Sequence, residues 1–196
     1  PALILQRLML IPHKNVEISV ASGLMTDSCN SPIPDDQTKE NTETIQLSLL
    51  EEASVAPQGI TADFRIRGTG LSVRENVRFH STTFQFIGGK DTCAVYTASG
   101  RTGESLILDK AASILTSRDV DPRIAPIPDA WDYDAMLAAH KEAWETTWQK
   151  CDLEIPALDG ELQTGLRFSM LGLMGSCSAN DPTVSIGARG LSHGRY

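Results

Sequence analysis

Ile60-Thr61-Ala62-Asp63-Phe64-Arg65-Ile66-Arg67-Gly68-Thr69-Gly70-Leu71-Ser72-Val73-Arg74 is the stretch that decides the fold class. Apolar and polar residues alternate from 60 to 67, the period of a half-buried strand. Gly68-Thr69-Gly70 then supplies the residues of a tight turn, and alternation resumes through Val73 to Val77-Arg78-Phe79. Two alternating runs joined by a short glycine turn predict a hairpin of antiparallel strands.

The same signal repeats on both sides. Upstream, residues 1–11 form a short apolar run bounded by Pro1 and Pro12, Val16 to Val20 alternates and stops at Ser22-Gly23, and Thr44 to Leu49 alternates again. Residues 26–41 between them are polar, carry Pro32, Pro34, Asp35 and Asp36, and predict a long surface loop. Downstream, Thr82 to Ile87, a turn at Gly88-Gly89-Lys90-Asp91, and Cys93 to Tyr96 predict a further hairpin. Ser105 to Leu108 and Ala112 to Leu115 read as one long strand with Lys110 facing solvent. Evenly spaced short strands with glycine turns predict an antiparallel β-sandwich.

The pattern changes near Asp119. Asp121 to Pro128 holds three prolines and predicts an extended linker. A helix follows, capped by Asp132 or Asp134 and running to about Lys150, with Leu137, His140, Ala143, Trp144, Thr147 and Trp148 along one stripe. A second helix starts near Asp159 with the apolar face Leu162, Leu166, Met170, Leu173, Met174 and Cys177, and fades at residues 178–182. Strands first and helices after predict two segregated parts.

Composition excludes several classes. The net charge of −8, with no cluster of lysine or arginine, argues against nucleic acid. No apolar run approaches the roughly 18 residues of a spanning helix, and no basic segment precedes an apolar one as in a signal peptide. The four cysteines, Cys29, Cys93, Cys151 and Cys177, form no C-x-x-C pair and predict free, buried thiols in a reducing compartment, not a metal centre. No Walker or dinucleotide glycine motif and no G-x-S-x-G elbow is present. The acidic residues fall in polar loops or on solvated helix faces, so none is expected to hold a proton for general acid work. Trp144 and Trp148 could stack on a sugar, but at i and i+4 they fit packing better; His140 on that face reads as structural, and His13 and His80 signal nothing.

The last residues, 184–196, are rich in glycine and arginine. Glycine lets a backbone approach a ligand, Arg189 and Arg195 can pair with phosphate or sugar oxygens, and His193 can exchange a proton near neutral pH. The plain alternative is a turn whose arginines meet carboxylates. Pro1 opens directly on an apolar run and Tyr196 ends in a loop, so a longer polypeptide is expected.

Several ordered segments resemble glycoside hydrolase family 65. They are Ala143-Trp144-x-x-x-Trp148, Asp152-x-Glu154-Ile155, Gln163-x-Gly165-Leu166-Arg167-Phe168 and Ser185-Ile186-Gly187-Ala188-Arg189-Gly190-Leu191 with Tyr196 shortly after. Leu108-Asp109-Lys110 and Thr116-Ser117-Arg118-Asp119 are similar to the end of that family's sandwich. The resemblance implies a mainly β fold, an antiparallel β-sandwich followed by a two-helix linker leading to an (α/α)6 barrel that is absent from this chain. The parts would be 1–119, sandwich lacking its first strands; 120–182, helical linker; and 183–196, start of the catalytic domain. It implies an inverting phosphorylase that cleaves an α-linked glucosyl disaccharide with inorganic phosphate to β-glucose 1-phosphate, with no metal or organic cofactor. The chain itself would hold no catalytic residue and no activity; Arg189, His193, Arg195 and Tyr196 would line the substrate pocket. Its partners would be the disaccharide, phosphate, the remainder of the same polypeptide and a second copy, in the cytoplasm, away from membrane and nucleic acid. A trehalase- or kojibiose-hydrolase-type relative and a non-catalytic carbohydrate-binding sandwich remain alternatives.

Overall fold

A computed structural model describes residues 3–26, 48–119, 127–128 and 130–176. The chain divides into two compact units, 1–133 and 134–196.

The first unit is a sandwich of two antiparallel sheets. The larger has the order β1-β8-β5-β4-β3, built from β1 (Leu3–Leu10), β3 (Ser48–Ala56), β4 (Gly59–Ile66), β5 (Ser72–His80) and β8 (Leu106–Thr116). The smaller has the order β2-β7-β6, built from β2 (Val16–Gly23), β6 (Gln85–Lys90) and β7 (Cys93–Gly100). The decisive hairpin is β4–β5, with Ile60 opposite Val77 and Phe64 opposite Val73. Gly68 holds φ +76° in its turn, a left-handed conformation that favours glycine. Thr69 completes that turn: its hydroxyl donates to the Ile66 carbonyl and accepts from the Leu71 amide, both at 3.1 Å. Pairing closes over a long range, since β1 lies on β8 with Leu3 opposite Ser113 and Leu10 opposite Leu106.

Parity fixes the core. Ile60, Val77, Phe79, Leu106 and Leu108 of the larger sheet meet Phe84 and Ala94, Tyr96 and Ala98 of the smaller. Phe79 and Tyr96 have ring centroids 4.8 Å apart. The Tyr96 hydroxyl donates to the Pro57 carbonyl at 3.0 Å, and burial pushes its pKa up to about 12. The sheets close tightly at Gly89, where a Cβ would come within 2.3 Å of Val55 Cγ1.

Three sequence expectations need correction here, and one strand extends beyond the expected segment. The segment 44–47 lies outside the described residues, and β3 instead runs on through Glu51, Glu52 and Ala53 to Ala56. A bulge between Leu50 and Glu52 breaks the period of two that would have signalled it. Residues 82–84 are not strand: the Ser81 hydroxyl accepts from the Phe84 amide at 2.8 Å and donates to the Ile107 carbonyl at 2.5 Å, so the chain turns before β6. Gly88 and Gly89 belong to β6, and the turn is Asp91-Thr92, with Asp91 at φ +56°. Lys110 does not face solvent. It shares the inward parity of Leu106 and Leu108, and its Nζ donates to Ser22 Oγ of β2 at 3.1 Å. The loop expected at 26–41 lies, after Thr26, outside the described residues.

On the opposite face of the larger sheet, Arg7, Asp109 and His80 stand in register across β1, β8 and β5. Arg7 donates Nε and Nη2 to the two Asp109 carboxylate oxygens at 2.7 and 2.8 Å, and its guanidinium lies 4.1 Å from the Tyr133 ring centroid. Trp131 meets the His80 ring edge-on, and Ile127 is buried.

The second unit is a helical hairpin of α1 (Tyr133–Cys151) and α2 (Gly160–Ser176). Asp159 caps α2 by accepting from the Leu162 amide at 2.9 Å. The stripe on α1 is narrower than expected: Leu137, Trp144 and Trp148 are half-buried, whereas His140, Ala143 and Thr147 are exposed. On α2, Gln163, Leu166, Met170 and Met174 are half-buried, whereas Leu162 and Leu173 are about 60% exposed. Cys177 lies outside the described residues. No described helix is long and apolar enough to cross a membrane.

Candidate functional site

The residues expected to line a substrate pocket, Arg189, His193, Arg195 and Tyr196, lie outside the described residues, as does the whole run 177–196. Several of the described residues that carry the family resemblance have a structural task. Asp109 is the buried partner of Arg7, with 4% of its surface exposed. Asp119 ends β8: its Oδ2 accepts from the Thr116 amide at 2.6 Å and from the Thr116 hydroxyl at 2.8 Å. Asp152 receives Nε and Nη2 of Arg167 at 2.9 and 2.7 Å, which joins the end of α1 to the middle of α2. Those bonds hold the Asp152 carboxyl below its ordinary pKa of 3.8. Between them, Gln163 donates to the Leu153 carbonyl at 2.8 Å and accepts from the Ile155 amide at 3.1 Å. Asp152, Ile155, Gln163 and Arg167 are therefore one clasp around the turn between the helices.

Trp144 and Trp148 are half-buried on α1, and the exposed His140 ring meets Trp144 edge-on with centroids 6.3 Å apart. Cys93 and Cys151 are free and half-buried, and the Cys151 thiol contacts Met174 Sδ at 3.5 Å. Cys29 and Cys177 lie outside the described residues. Among the described residues, no three His, Cys, Asp or Glu side chains stand together as a metal site.

Sequence reasoning missed one group with altered acidity. Glu75 is half-buried on β5, and burial raises its pKa above the ordinary 4.5. It lines a cavity of about 240 Å³ in the first unit with Ile4, Leu24, Val77, Ala112 and Lys110. This corrects the expectation that every carboxylate is well solvated. The signal was present: Glu75 falls in phase with Val73, Val77 and Phe79, on the apolar face of its strand. The cavity offers one carboxyl and one ammonium, and its lining contains no aromatic ring and no second carboxylate. It therefore lacks both the stacking platform and the acid–base pair of a hydrolytic sugar site.

Comparison with known proteins gives the context. No family model matches the chain. It is 33% identical over 129 residues to a kojibiose phosphorylase of Caldanaerobacter subterraneus subsp. tengcongensis, covering 62% of this chain and 16% of that protein. It is 28% identical over 192 residues to the kojibiose phosphorylase of Thermoanaerobacter brockii, covering 90% of this chain and 24% of the relative. A maltose phosphorylase of Bacillus subtilis is 31% identical over 64 residues, 33% of this chain and 8% of that one. A solved structure described as a kojibiose phosphorylase from the human microbiome superposes with a TM-score of 0.69 over 96% of this chain and 25% of its own, at 12% identity. That likeness bears on the fold alone, two antiparallel sheets followed by two helices. The chain thus spans a quarter or less of the relatives it matches. Its relatives include kojibiose and maltose phosphorylases and two uncharacterized glycosyl hydrolases of Mycobacterium tuberculosis, in keeping with the resemblance to glycoside hydrolase family 65.

Proposed function

We propose that this chain is the sandwich and helical linker of an inverting disaccharide phosphorylase whose chemistry is carried by a catalytic barrel. The observation that carries this reading is the match to a kojibiose phosphorylase along 90% of the chain, through strands and helices alike. The bonds of Asp109, Asp119, Asp152 and Arg167 support it, because they give these residues of the family resemblance structural work and no chemistry. In this reading 1–119 is sandwich, 120–182 linker, and 183–196 the entry to the barrel, where Arg189, His193, Arg195 and Tyr196 line the sugar pocket.

The reaction follows from inversion. A glutamic acid of the barrel protonates the glycosidic oxygen as the C1–O bond breaks. A phosphate oxygen attacks C1 from the opposite face, so an α-glucoside gives β-glucose 1-phosphate and a free sugar. Phosphate stands where an inverting hydrolase holds its activated water, so one catalytic carboxyl suffices. Phosphate is a co-substrate, and no metal or organic cofactor takes part. A cytoplasmic homodimer is the assembly this reading carries.

The test is turnover of α-glucosyl disaccharides by the polypeptide that carries this chain, with and without inorganic phosphate. Release of glucose 1-phosphate that requires phosphate is the expected result. Equal release of free glucose without phosphate would identify a hydrolase and overturn the proposal.

A further inference from the structure

We draw no further inference here: the strongest candidate, the flank of α2 that carries the exposed Leu162 and Leu173, is a helix surface for which nothing in the structure shows what covers it.

Discussion

Inside the sandwich unit Arg7 meets both oxygens of Asp109, and the Tyr133 ring lies against the Arg7 guanidinium. Arg7→Ala would leave a carboxylate that is 4% exposed without that partner. Removing one member of a buried pair costs about 3 kcal/mol or more, so a clear fall in the urea midpoint is expected. The double variant Arg7→Ala, Asp109→Asn should recover part of that loss, because no buried charge remains. Glu75 is the opposite case. Its pKa is raised by burial, so the folded state holds the proton more tightly than the unfolded chain. Below the ordinary value of 4.5 both states are protonated and the group is neutral in its effect. As pH rises through the folded pKa, the buried charge withdraws stability. Glu75→Gln is therefore expected to raise the Tm relative to the parent at pH 7 and to leave it unchanged at pH 3.5. An equal shift at both pH values would refute this assignment.

The helical hairpin depends on its turn more than on its packing, since none of the residues of α1 or α2 is fully buried. Gln163 makes two bonds to that turn, and each such bond is worth about 1 kcal/mol net. Gln163→Ala is expected to lower the stability of the helical signal at 222 nm by about 1 to 2 kcal/mol. Arg167→Ala, which breaks an exposed pair, should cost less than Gln163→Ala. These elements also mark how far the sequence could be read. Alternation located β4 and β5, two apolar runs joined as one strand located β8, and Asp159 placed the start of α2 because a cap is a local property. The second half of β3 escaped notice because Glu51 and Glu52 interrupt the alternation at a bulge. Gln163 was passed over for Leu162 because apolarity guided the choice of face. The polar side chain won that face by bonding the backbone of the turn.

At the scale of the whole molecule, the sandwich and the order of strands before helices were legible, because both rest on periodicity. The expected pocket residues Arg189, His193, Arg195 and Tyr196 lie outside the described residues. Among the described residues, Asp109, Asp119 and Asp152 are engaged in structural bonds, and Glu75 stands without a second carboxylate in the cavity it lines. This chain alone is accordingly expected to release no glucose 1-phosphate from kojibiose or maltose with phosphate present, assayed by coupled enzyme detection. Measurable turnover would mean that the acid lies within residues 1–196. The pairing of β1 with β8 has a consequence for synthesis. Leu3 finds its ladder partner only at Ser113, so β1 must wait until the intervening residues and β8 are made. At 5–20 residues per second, that interval is roughly 5 to 20 seconds. Throughout it the nascent larger sheet lacks its closing strand and leaves an apolar ribbon open to chaperones and to neighbouring chains.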